Sequence, residues 1–156
     1  MSPTGVVTLL SPGGGYSGEW GRPMVILPDG KGNTYVSEFR SDRVTKIASN
    51  GALSVLPFSC TSTSYCSGLD IDRWGNIYAT FDTGGTIAMT NPATGVCRVI
   101  YSRNCGNSAC ASNINVDWEG TSILTSDFIN RGGAPDHIWR MVLEAPQPSP
   151  TPTLAP

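Results

Sequence analysis

Charge is scarce in this chain of 156 residues: Asp, Glu, Lys and Arg together make up 14%, against roughly 25% in a typical soluble domain. Lys31 and Lys46 are its only lysines, and the formal net charge is −2. Basic residues so few and so scattered cannot follow a phosphate backbone, which excludes a nucleic-acid partner. Long apolar runs are also absent; none approaches the roughly 18–20 residues that span a bilayer. Met1-Ser2-Pro3-Thr4 is neither a positively charged n-region nor an apolar h-region, so any secretory signal would lie outside this numbering. There is no Asn-x-Ser/Thr sequon, and N-glycans are not expected. No segment holds a 3.6-residue apolar period long enough for a helix.

What the chain has instead is turn chemistry at regular intervals. Within Ser67 to Ile100, the clusters Asp72-Arg73-Trp74-Gly75-Asn76, Asp82-Thr83-Gly84-Gly85 and Asn91-Pro92-Ala93-Thr94-Gly95 separate short runs rich in Ile, Val, Tyr, Phe and Thr. Such runs between Gly, Asn and Asp clusters read as strands. The unit recurs along the chain. Gly5, Gly51 and Gly95 each precede an apolar run and lie 46 and 44 residues apart; Gly32-Asn33 and Gly75-Asn76 lie 43 apart, and Asp72 and Asp117 lie 45 apart. A period of about 40–45 residues marks four strands per propeller blade.

The pattern predicts twelve strands, centred on Val6–Leu10, Met24–Leu27, Thr34–Ser37, Val44–Ala48, Leu53–Leu56, Leu69–Asp72, Ile77–Phe81, Thr86–Thr90, Val96–Tyr101, Ile114–Trp118, Ser122–Ser126 and His137–Leu143. The fold class is therefore all-β, with β-propeller-type repeats forming about three four-stranded blades. Residues 1–144 hold the blades in units of about 5–50, 51–94 and 95–143, offset so that the chain starts with a closing strand. Inner strands of stacked blades are buried on both faces and lose their in/out alternation. Met24-Val25-Ile26-Leu27 is expected to be such a strand.

The run Pro28-Asp29-Gly30-Lys31-Gly32-Asn33-Thr34-Tyr35-Val36-Ser37-Glu38, then Asp42-Arg43-Val44-Thr45-Lys46-Ile47 and Asn50-Gly51, resembles an NHL-type β-propeller repeat. The same shape is similar to the gluconolactonase and streptogramin-lyase branch of six-bladed propellers. A lactonase-like relative would need acidic and amide side chains around a channel to hold a divalent cation, which makes Asp70, Asp72, Asn115 and Asp117 the positions to weigh. A lyase-like relative would need a histidine acid/base, and His137 is the only histidine. The alternatives are plain: Asp72 and Asp117 start turns by bonding amides two residues on, and His137 is a surface or packing residue. Fold does not fix function, because propellers host binding, catalytic and structural roles.

Three blades are too few to close a ring, which usually takes about 4–8. The chain is therefore expected either to be part of a longer product or to assemble with copies of itself or with other propeller blades.

Cys60 and Cys66, and Cys105 and Cys110, occupy equivalent linkers of the repeat, so two local disulfides, Cys60–Cys66 and Cys105–Cys110, are expected, although four cysteines allow three pairings. Cys97 is then left as a buried thiol or the site of an intermolecular bridge. Disulfides imply an oxidising compartment. Trp74 and Trp118 sit at matching turn positions, where they would either stack on a sugar or peptide or pack between blades.

The last segment, 145–156, holds prolines at 146, 148, 150, 152 and 156 and no charge, a composition that favours an extended linker or stalk. It resembles the Ser-Pro and Thr-Pro modules of hydroxyproline-rich extracellular glycoproteins of plants and green algae. That resemblance implies Pro148, Ser149, Pro150, Thr151, Pro152 and Thr153 as sites of hydroxylation or O-glycosylation. The sequence calls for no cofactor. Its overall reading is an extracellular structural or interaction module that assembles with itself or other propeller segments. A metal-dependent lactonase-like hydrolase or lyase, and a glycan- or peptide-binding ectodomain, stand as alternatives.

Overall fold

The computed structural model describes residues 22–39, 43–56, 58, 60–61, 65–82, 85–102, 113–126 and 138–143. The expected first strand at Val6–Leu10, the Cys105 and Cys110 pair, His137 and the proline-rich tail lie outside them. Eleven strands run in order, with no helix among the described residues. β1 (Pro23–Pro28), β2 (Thr34–Glu38), β3 (Arg43–Ile47) and β4 (Leu53–Val55) form the first sheet. β5 (Cys66–Ile71), β6 (Ile77–Phe81), β7 (Thr86–Thr90) and β8 (Cys97–Ser102) form the second, and β9 (Asn113–Val116), β10 (Ser122–Ser126) and β11 (Ile138–Val142) the third. Each is an antiparallel meander in chain order. The closing runs after Gly51 and Gly95 pair backwards, β4 with β3 and β8 with β7, as the offset of the repeat requires.

The second sheet is the middle layer. Its register puts Leu69, Ile77, Ala79, Phe81 and Ala88 on one face, where they meet Tyr35, Val44, Leu56 and Phe58 from the first sheet and the linker after it. Phe58 meets Phe81 edge-on, with ring centroids 5.6 Å apart. The opposite face carries Tyr78, Ile87 and Met89 against Ile114, Val116 and Ile123 of the third sheet. Every residue of β6 and β7 is buried. Completely burying Phe81, Ile77 and Ile87 stabilises the stack by about 1.5–3 kcal/mol per side chain.

This two-sided burial falls on β6 and β7, not on β1. β1 was expected to be continuously buried, yet Met24 and Ile26 are 55% and 69% exposed while Val25 and Leu27 pack inward. The reason is position: β1 is the edge strand of the first sheet, whereas β2 beside it is buried from Tyr35 to Glu38.

The inner strands of the second and third sheets approach closely at Gly68. A Cβ there would lie 2.6 Å from Thr80 Oγ1 and 3.2 Å from both Asn113 Cα and the Ile114 nitrogen. Two residues on, the Val116 amide donates to Asp70 Oδ2 at 2.6 Å, joining the sheets by a charge-assisted hydrogen bond.

The disulfide differs from expectation. Cys60 bonds Cys97, 37 residues away, with Cα atoms 5.6 Å apart. Cys66, its expected partner, is the first residue of β5 and fully buried in the core between the first two sheets. The repeat register had placed it in a linker, but β5 begins earlier than the apolar run from Leu69 suggests, and Cys66 pairs with Phe81 in the ladder. Cys97 is thus neither a spare thiol nor an intermolecular bridge. Closing a loop of 37 residues stabilises by about 4 kcal/mol in the chain-entropy model.

Cys97→Ser should lower the unfolding free energy by about 2–5 kcal/mol under non-reducing conditions and by much less in dithiothreitol, and non-reducing peptide mapping should recover the Cys60 and Cys97 peptides as one disulfide-linked pair. Gly68→Ala should cost about 1–3 kcal/mol in denaturant unfolding, since part of what its methyl meets is backbone.

Candidate functional site

Three turns of one design lie at the same end of the three sheets. Asp29-Gly30-Lys31-Gly32-Asn33 joins β1 to β2, Asp72-Arg73-Trp74-Gly75-Asn76 joins β5 to β6, and Asp117-Trp118-Glu119-Gly120-Thr121 joins β9 to β10. Each opens on an Asp whose carboxylate collects the turn's amides. Asp29 Oδ1 accepts from the Lys31 and Asn33 amides at 2.7 and 3.0 Å, and its Oδ2 from the Asn33 side-chain amide at 2.6 Å. Asp72 repeats this with Trp74 and Asn76 and adds the Tyr78 hydroxyl at 3.1 Å. In each turn the fourth residue is a glycine with positive φ: +91° at Gly32, +83° at Gly75 and +66° at Gly120. Side chains disfavour that conformation, which is why the D-x-x-G spacing recurs.

The third turn is one residue longer. The Asp117 amide bonds the Ser122 carbonyl, whereas Asp72 bonds Asn76 and Asp29 bonds Asn33. Its carboxylate is filled by the Thr121 amide and hydroxyl and the Ser122 hydroxyl instead of by an asparagine, and so the Gly-Asn pair is missing there.

The second and third turns are clamped together. The Arg73 amide donates to the Trp118 carbonyl at 3.0 Å, and its guanidinium pairs with Glu119 at 2.6 and 2.8 Å while lying 4.3 Å from the Trp74 ring centroid. Gly120 fits against Asp72, where an added Cβ would stand 2.7 Å from Oδ2. The Asn91 side chain, at the β7–β8 turn, donates to Asn76 Oδ1 at 2.8 Å.

Between these turns opens a groove of about 260 Å³, lined by Lys31, Tyr35, Lys46, Arg73, Trp74 and Trp118 together with the turn residues. Both tryptophans, weighed in the sequence for stacking or for packing between blades, are exposed, at 64% and 67%. Both lysines of the chain are here, Lys46 directly across the β2–β3 ladder from Tyr35. Burial, helped by the charge of Asp29, raises the Tyr35 hydroxyl above its ordinary pKa. Burial and then the charge of Asp72 raise Tyr78 further still. Asp29 lies below the usual carboxylate range: burial opposes this, but the Asn33 side chain and the turn amides outweigh it.

The cation candidates are not brought together. Asp70 faces the third sheet and accepts from its own strand neighbour Ile71 and from Val116. Asn115 lies on the far, exposed face of that sheet, opposite Leu124. Asp72 and Asp117 are taken up by their turns, and no group of three His, Cys, Asp or Glu among the described residues has metal-binding geometry. The lysines, Tyr35 and Arg73 were missed as groove residues in the sequence. The available signal was the common end of the three D-x-x-G turns together with the hairpin register that sets Lys46 beside Tyr35.

No protein-family model matches the chain, and none of the curated proteins matches it in sequence. Solved structures do resemble it. Streptogramin B lyase superposes with a TM-score of 0.54 at 15% identity, over 78% of this chain and 40% of that one. A catalytically inactive histidine-to-alanine virginiamycin B lyase from Staphylococcus aureus with quinupristin gives 0.55 at 16%, over 86% and 44%. The selenomethionine-substituted virginiamycin B lyase from the same organism gives 0.57 at 17%, over 83% and 44%. The chain is built on the β-propeller fold. It spans less than half the length of these structural neighbours.

The third turn carries an acid dependence of its own. The Thr121 hydroxyl bond, assisted by the Thr121 and Ser122 amides and opposed by desolvation, holds the Asp117 carboxyl at about 2. A depressed folded-state pKa contributes stability that is present above the unfolded value of about 3.9 and lost as pH falls toward that of the folded state. Asp117→Asn should therefore flatten the fall in thermal midpoint between about pH 4 and about pH 2. Gly120→Ala should cost roughly 1–3 kcal/mol at neutral pH, read by chemical unfolding, because neither its φ nor the four-bonded Asp72 can yield.

Proposed function

We propose that this chain is an extracellular propeller module whose work is assembly, its end sheets covered by those of a second copy. One observation carries the reading. The outer face of the third sheet presents Leu124, Ile138 and Val142 at 43%, 81% and 73% exposure, whereas the corresponding face of the middle sheet is buried by the next blade. On the first sheet, Val36, Glu38 and Thr45 of the outer face are buried already, but Ile26, Leu53 and Val55, which share that face, are 69%, 51% and 55% exposed.

Within the chain each sheet packs its rear face on the front face of the next. The same contact between copies would set the third sheet of one against the first sheet of another. If the rotation closes, two copies joined this way form a six-sheet ring. If the rotation does not close, the same head-to-tail contact propagates as a filament.

The Cys60–Cys97 bond fits a non-reducing compartment, and no helix among the described residues is long and apolar enough to cross a membrane. The Ser/Thr-Pro tail supports an extracellular setting as the attachment for O-glycans. Residues 148–153 should carry pentose or hexose mass in the natural protein, read by intact-mass analysis; an unmodified tail would count against this part of the reading.

Sedimentation velocity tests the assembly. A dimer or larger species should form below about 100 μM, and Ile138→Glu with Val142→Lys should shift it to monomer while leaving the thermal midpoint nearly unchanged. A wild-type monomer throughout that range would defeat the proposal.

A further inference from the structure

The groove between the turns has a one-sided hydrogen-bonding character. Its side-chain acceptors are largely engaged: Asp29 and Asp72 by their turns and Asn91 Oδ1 by the Ala93 and Thr94 amides at 2.9 and 3.2 Å, while beside the groove Asn76 Oδ1 accepts from Asn91. Its donors are not. Among the described residues, the ion pairs are Arg43–Glu38 and Arg73–Glu119; Lys31 feels the charge of Asp29 without a direct ion pair, and Lys46 is in no ion pair there. The Tyr35 ring is 4% exposed and is raised in pKa, so its hydroxyl stays a proton donor across the physiological range. Around these donors stand the two exposed indoles.

We propose that this groove binds an acidic sugar, a pyranose ring bearing a carboxylate such as a uronic acid residue. The carboxylate takes the lysine ammonium groups, the ring oxygens and hydroxyls accept from Tyr35, and the C–H face of the ring lies on an indole. A peptide is disfavoured, because its backbone amides would need acceptors that the turns have already consumed. The size agrees: about 260 Å³ is below the roughly 300–1,000 Å³ of sites for drug-sized ligands, enough for one sugar unit. The groove lies within one chain and is independent of the assembly proposed above.

The test titrates the full chain with glucuronic acid, glucose and glutarate, followed by amide shifts in heteronuclear NMR and by tryptophan fluorescence. Glucuronic acid should give saturable shifts at residues 29–35, 46, 72–76 and 117–121. Glucose should bind at least about tenfold more weakly for want of the charge, and glutarate likewise for want of the ring. Lys46→Met and Trp74→Ala, at sites where no described hydrogen bond of the side chain is lost, should each weaken glucuronic acid by about ten- to hundredfold with unfolding midpoints retained. Absence of saturation up to about 50 mM, equal binding of glucose or glutarate, or binding unaffected by both variants would overturn the proposal.

Discussion

A β-sheet whose two faces are both apolar is stable only between two neighbours, and the middle sheet of this chain is held that way. Ile77, Ala79, Phe81 and Ala88 need the first sheet on one side, and Ile87 and Met89 need the third on the other. Either end sheet alone would have too little core, and the middle sheet alone would expose an apolar surface on both sides. The stack is thus a cooperative unit whose stability comes from interfaces between repeats, as in other repeat architectures. Its end sheets inherit the same chemistry with less cover, which is the physical root of the assembly reading.

The D-x-x-G turns do two jobs with the same atoms. Each aspartate consumes amides that would otherwise lack partners at the hairpin, fixing the register of the strands it joins. With the carboxylates so occupied, the glycine of the third turn can sit against Asp72 and the arginine of the second can reach Glu119. An exposed pair such as Arg73–Glu119 is worth only about 0.2–1 kcal/mol. Its role is positional: with the Arg73 amide bond to Trp118, it holds two exposed indoles beside one groove.

The cross-link shows where repeat logic stops. Equivalent places in a repeat suggested equivalent loop disulfides, yet Cys60 and Cys97 sit on different blades and meet because the linker after β4 packs on the second sheet. The bond therefore staples one blade to the next, which a local loop bond could not do. Cys66 contributes core volume.

The sequence by itself determined the strands. Ile77–Phe81, Thr86–Thr90 and Ser122–Ser126 fall where the spacing of turn residues put them, because Gly, Asn and Asp act on φ and on local hydrogen bonds that involve near neighbours only. Asp72 and Asp117 as turn openers were legible for the same reason. Only the tertiary structure decided which strands are buried on both faces, that Asp70 bonds across to Val116 while Asn115 faces away, and that Cys97 takes Cys60. It also decided that Lys31, Lys46 and Trp74 share one groove. Those facts depend on how one sheet lies on the next, and that contact joins residues some 40 positions apart, beyond the reach of local propensity.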